Sequence, residues 1–156
     1  MPDFRILPFV SAYLPEATDL WVEAWTRAMP GTGFEARRVW FVDRLAQLND
    51  GGATILCAFD VLDGRMAGLI TLETDGHIDQ LAVAVHVWGS GAATALLNEV
   101  KRMHAGGPLT LDVNQDNARA VRFYEREGFR RVDARRNATS GLPIWRYQWA
   151  DISAVG

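Results

Sequence analysis

Apolar and polar positions along this chain follow two rhythms, one of period two and one near 3.6. Phe4 to Val10 reads as a short opening strand. Trp21, Ala24, Trp25 and Ala28 then recur at helical spacing, predicting a helix that begins near Pro15 and stops at Pro30-Gly31. After a break at Gly31-Thr32-Gly33, Phe34, Phe41, Leu45 and Leu48 mark a second helix ending before Gly51-Gly52. Ala53 to Leu62 and Arg65 to Glu73 are strand-like runs joined by Asp63-Gly64, a dipeptide favoured in tight hairpin turns. A turn at Asp75-Gly76 leads into a strand from Ile78 to Val85.

The second half alternates strand and helix. A helix is predicted from Gly91 to Met103, with Ala92, Ala93, Leu96, Leu97, Val100 and Met103 facing inward, and Gly106-Gly107-Pro108 ends it. Leu109 to Val113 is the next strand and Asn117 to Glu127 the last helix. Phe129 to Arg135 and Pro143 to Trp149 close the chain as paired strands around Ser140-Gly141. The order is β-α-α-β-β-β-α-β-α-β-β. With no internal repeat, low-complexity tract or linker, residues 1–156 are expected to form a single domain. Periodicity alone gives an α/β or α+β class.

Composition narrows the partners. Of 156 residues, 49% are apolar and 22% charged, as in a globular and not a disordered chain. A net charge of −3 argues against a nucleic-acid surface. No apolar run approaches the ~20 residues that cross a bilayer, so no membrane partner is expected. MPDFRILPFV shows no basic region followed by a long apolar stretch, and the single cysteine, Cys57, cannot form an internal disulfide. A cytoplasmic location is the expectation.

Two stretches carry the chemistry. Trp88-Gly89-Ser90-Gly91-Ala92-Ala93 lies between a strand and a helix. The first N–H groups of a helix lack intrahelical partners and carry partial positive charge, so a diphosphate suits them. The small residues Gly89, Ser90, Gly91, Ala92 and Ala93 permit close backbone approach. Downstream, Asn117 is suited to cap the following helix, Ala120 and Tyr124 share one face of it, and Gly128-Phe129 follows its end.

In order, spacing and residue type these stretches resemble the two central motifs of the GNAT superfamily of N-acetyltransferases. The usual Arg or Gln at the first motif position is Trp88, and Val85 stands where proline is frequent. The resemblance implies a mixed, mostly antiparallel sheet flanked by helices. It also implies transfer of acetyl from acetyl-coenzyme A to a primary amine, with no metal. The implied cofactor contacts are Leu81, Ala82, Val83, Trp88, Gly89, Ser90, Gly91, Ala92, Ala93, Asn117, Ala120 and Tyr124. A backbone N–H near Leu81 to Val83 would hold the thioester carbonyl, and Tyr124 would protonate the departing thiolate.

A protonated alkylamine needs a base or water chain. His77, Asp79, Leu81 and Val83 alternate onto one strand face, which makes His77 the first candidate base and Asp79 and Glu73 alternatives. His86 reads as a surface residue or a neighbour of the diphosphate rather than a base, and Cys57 and Phe123 as core, so direct transfer in a ternary complex is expected over an acyl-cysteine intermediate. The acceptor, a small-molecule or peptide amine, should meet the first two helices and the final strand pair. Trp21, Trp25, Trp40 and Trp145 are candidates there, although Trp21 and Trp25 read first as a core stripe. Homodimerisation is left open. The competing class is an acyl-coenzyme A binding or sensing module without catalysis; Tyr124 argues against it, since a binder has no need of the acid.

Overall fold

A computed structural model describes residues 3–31 and 33–150, apart from the side chains of residues 34 and 35. Thr32, in the expected break, and the inward position assigned to Phe34 therefore lie outside what is described. A seven-stranded sheet runs in the order β1-β2-β3-β4-β5-β7-β6. The strands are β1 (Phe4–Pro8), β2 (Thr54–Asp60), β3 (Met66–Leu72), β4 (His77–Val83), β5 (Leu109–Asn114), β6 (Arg130–Arg136) and β7 (Pro143–Trp149). Every pairing is antiparallel except β4 with β5. Helices α1 (Leu14–Ala28), α2 (Arg38–Asp50), α3 (Ala92–Met103) and α4 (Ala118–Arg126) complete the expected order.

All seven residues of β3 are buried, because α1 packs against one face of the sheet and α3 against the other. The apolar stripe of α1 explains its place: Ala17, Leu20, Trp21 and Ala24 are buried, and Trp21 stacks on Phe41 of α2 at 4.7 Å. Trp21 is thus core, as its spacing favoured. On α3, Ala92, Leu96, Leu97 and Val100 are buried, whereas Met103 at the last turn is 44% exposed.

The boundaries differ in instructive places. Phe34–Arg37 is a 3₁₀ turn and not the first turn of α2. Five residues, 61–65, separate β2 from β3, with Asp60 N–H donating to Arg65 C=O and Gly64 at φ +72°, in place of a two-residue hairpin. β1 stops at Pro8, and β4 begins at His77 and gives way to a 3₁₀ turn at Val85–Val87.

The sheet is irregular on both sides of β4. Between Ile70 and Leu72 of β3, partners Leu81 and Ile78 are three residues apart, so β4 carries a bulge at Asp79-Gln80. The Gln80 N–H at the bulge donates instead to the buried Thr71 hydroxyl at 2.9 Å. The parallel pairing of β4 with β5 is confined to His77 with Thr110 and Ile78 with Leu111. Beyond it the strands diverge.

Candidate active site

The divergence opens a V in the middle of the sheet. The N–H groups of Gln80 in β4 and of Ala84 just after it both point toward β3, to Thr71 Oγ1 and to the Ala67 carbonyl at 2.8 Å. By the two-residue period, the Leu81 and Val83 N–H groups point the other way, into the V, while that of Ala82 faces β3. Of the three residues expected around a thioester carbonyl, two therefore offer backbone donors. A cleft of about 600 Å³ fills the V and is lined from both faces of the sheet: by α1 through Ala24, Trp25 and Ala28, and by α3 and α4.

At the wide end of the V lies the glycine turn. Gly89 and Gly91 have φ +80° and +95°, and Gly91 is the left-handed residue immediately before α3. No side chain caps this helix, and its first intrahelical bond is Ala95 N–H to Gly91 C=O. Among the described residues the N–H groups of Ala92, Ala93 and Thr94 have no acceptor, and all three residues line the cleft. Gly89, Gly91 and Trp88 line it too. Ser90 does not: its N–H is committed to Val87 C=O at 3.0 Å and its buried hydroxyl has no partner among the described residues. Trp88 is pinned to the end of β4, its indole N–H donating to Val83 C=O at 2.9 Å, and Arg119 lies 4.0 Å over its ring.

Opposite stands α4. Asn117 caps it as its sequence suggested, accepting from Ala120 N–H at 3.2 Å, and Gly128 with φ +94° follows its end. Asn117, Ala120, Phe123 and Tyr124 all line the cleft. Phe123 is half-buried: it packs against the core, as its sequence suggested, and also lines the cleft. Tyr124 is held edge-on between Phe123 at 5.3 Å and Phe129 at 5.7 Å. Its hydroxyl has no hydrogen-bond partner among the described residues, and burial pushes the phenol well above its ordinary value.

At the closed end of the V the three candidate bases meet: ligand-type atoms of Glu73, His77 and Asp79 lie within 4.8 Å of one another. Their environments differ. Arg44 of α2 grips Asp79 through two hydrogen bonds of 3.0 and 2.8 Å. Burial acts against the Asp79 anion, but the bonds from Arg44 and Gln80 prevail and hold the carboxyl below its usual range. Glu73 is displaced upward by burial and then by the Asp79 charge. His77 Nδ1 is 2.8 Å from the Thr110 hydroxyl. Only Asp79 of the three lines the cleft. The bulge also interrupts the strand alternation read from the sequence. Asp79 and Gln80 both reach the α1–α2 layer, Gln80 accepting from Trp21 Nε1 at 3.0 Å.

Of the acceptor-side tryptophans, only Trp25 lines the cleft; Trp40 packs near Trp21, and Trp145 lies under Arg131 at 4.0 Å. Cys57 is fully buried between β1 and β3, away from the cleft, and burial pushes its thiol up to about 12. His86 is exposed outside the cleft lining. The sequence reading missed Arg119, Arg122 and Arg126, which line the cleft from α4; their i, i+3, i+7 spacing was the available signal.

Residues 35–150 match the family model described as an acetyltransferase (GNAT) domain. The chain is similar to the peptidyl-lysine N-acetyltransferase YiaC of Escherichia coli K12, at 28% identity over 93 residues, 60% of this chain. It spans 62% of that protein's length. In structure it is similar to the PaiA N-acetyltransferase of Thermoplasma acidophilum, solved in complex with coenzyme A. That match has a TM-score of 0.77 at 17% identity and covers 96% of this chain and 99% of that one. Apo-form YjaB from Escherichia coli matches with a TM-score of 0.76 at 20% identity, over 94% and 97% of the two chains.

Proposed function

The chain belongs to the GNAT acetyltransferase family, and on that premise we propose that it moves an acetyl group from acetyl-coenzyme A to a primary amine by direct transfer in a ternary complex. The observation that carries this reading is the V itself. One continuous cleft joins the unpaired donors at the start of α3, the Leu81 and Val83 amides, the Tyr124 hydroxyl and the α1 face. The diphosphate accepts from the α3 amides, the pantetheine arm lies between the parted strands against Ala120, and the thioester carbonyl accepts from the Leu81 or Val83 N–H. The amine enters from the α1 side past Trp25. Its nitrogen forms the new bond to the acetyl carbon, the carbon–sulfur bond breaks, and Tyr124 passes its proton to sulfur.

The proton lost by the amine travels by water toward Glu73 and His77. Asp79 is a poor acceptor because Arg44 occupies both its oxygens and stabilises the anion. Burial makes Glu73 a stronger base than an ordinary carboxylate. Since a relative bears the name of a peptidyl-lysine acetyltransferase, lysine-containing peptides belong in the first panel of acceptors, beside small amines. Free thiol release is followed over that panel while acetyl-coenzyme A binding is measured in parallel. Turnover on at least one amine supports the reading; tight binding with no turnover on any supports a non-catalytic acyl-coenzyme A module.

Direct transfer leaves Cys57 as packing. Cys57→Ala is expected to keep turnover per folded molecule within about two-fold while costing roughly 1 kcal/mol of stability from the small buried sulfur lost. Initial-rate plots should intersect. Parallel plots with a trapped acetyl-cysteine would overturn the ternary complex.

A further inference from the structure

Three guanidiniums, of Arg119, Arg122 and Arg126, line the cleft from α4, and none has a carboxylate partner among the described residues. Elsewhere around the cleft arginines are satisfied: Arg44 holds Asp79, and Arg146 holds Asp112 at 2.8 and 3.0 Å. The helix even turns its own acid away, for Glu125 accepts from the Tyr147 hydroxyl at 2.8 Å and pairs with Arg131. Arg119 stands in the first turn of α4, where the helix dipole disfavours a cation, and no acid occupies that turn or the first turn of α3. Like charges three and four residues apart repel along a helix. Three guanidiniums without carboxylate partners thus line the same cleft as the free amides at the start of α3.

We infer that this row of arginines is a binding site for a phosphomonoester at the nucleotide end of the acyl donor, so that the protein selects coenzyme A carrying its 3′-phosphate over the dephosphorylated form. The inference rests on the acetyl-coenzyme A reading. With the diphosphate at the α3 amides and the pantetheine in the V, the nucleoside leaves the cleft past Trp88 and the Arg119 guanidinium stacked on it. Its 3′-phosphate, carrying about −1.5 to −2 charges, then falls beside groups that offer planar, forked donors. The stack of Arg119 on Trp88 fixes one of the three in place.

The test compares binding of acetyl-coenzyme A with that of acetyl-dephospho-coenzyme A by calorimetry, at low and high salt. The wild-type chain is expected to prefer the 3′-phosphorylated donor by roughly tenfold at low salt, a modest figure because exposed charges are screened. Arg119→Gln/Arg122→Gln/Arg126→Gln should reduce the preference to about twofold and weaken only the phosphorylated donor. As a second measurement on the unmutated protein, adenosine 3′,5′-bisphosphate should compete better than adenosine 5′-phosphate by a similar ratio. Equal wild-type affinity for both donors would sink the inference and leave the acetyl-coenzyme A reading standing. So would a triple variant that loses both affinities alike. Failure of both donors to bind would instead remove the acetyl-coenzyme A reading itself.

Discussion

Tyr124→Phe is expected to lower the rate of acetyl transfer by roughly ten- to a thousand-fold while leaving acetyl-coenzyme A binding within a few-fold. Binding survives because the ring is retained: its edge contacts with Phe123 and Phe129 do not involve the hydroxyl. The size of the rate loss depends on how hard it is to move the phenolic proton. An ordinary tyrosine sits ~1.5 pH units above an ordinary thiol, so the transfer is uphill by about 2 kcal/mol in water. Burial raises this phenol further, which makes Tyr124 a weaker acid in isolation. The thiolate would form in the same low-dielectric cleft, however, and burial raises thiols as well, as Cys57 illustrates. The two effects oppose each other, and hydrogen bonding to a desolvated thiolate gains where water is excluded. The sign for pH follows directly. A raised phenol stays protonated beyond the ordinary tyrosine value, so the wild-type rate should show no decline assignable to Tyr124 up to about pH 10. The check is single-turnover kinetics across pH, with product release excluded as the slow step. An unchanged rate in Tyr124→Phe would reduce the residue to a wall aromatic.

What the sequence made legible was local. Small residues before a helix, an asparagine cap and an alanine–tyrosine pair four apart depend on neighbours in the chain, and the structure places nearly all of them around one cleft. What escaped was set by tertiary pairing. Nothing in HIDQLAV announces that its pairing with LTLDVN ends after two residues, because strand propensity is indifferent to which neighbour a strand loses. The bulge is likewise a matter of register with β3, and it moved Gln80 beside Asp79 toward the α1–α2 layer against the simple alternation. The candidate bases could be named but not ranked, since their difference lies in Arg44, thirty-five positions upstream of Asp79. The arginines of α4 were visible as a spacing, yet only the cleft gave that spacing a direction.

Replacing Gly91 by valine should weaken acetyl-coenzyme A by about a hundred-fold, through two effects that a second substitution separates. An added Cβ meets no atom within 4 Å, so the protein interior does not object to a side chain here. The backbone does: φ is +95°, a region that costs L-residues ~1–2 kcal/mol and suits β-branched ones least. The open space beyond Gly91 is where the diphosphate is expected to lie against the α3 amides, so valine methyl groups would also stand between the anion and its donors. Gly91→Ala carries most of the backbone cost and little of the bulk. Both variants should therefore lose stability in urea unfolding, alanine about 1–2 kcal/mol and β-branched valine somewhat more. Alanine should weaken donor binding by less than about tenfold, the share due to a loosened turn, and valine by about ten times more. Circular dichroism at the assay temperature establishes that both are folded. If folded Gly91→Val binds acetyl-coenzyme A as tightly as the unaltered chain, the diphosphate does not sit at the start of α3, and the amides of Ala92, Ala93 and Thr94 lose their proposed role.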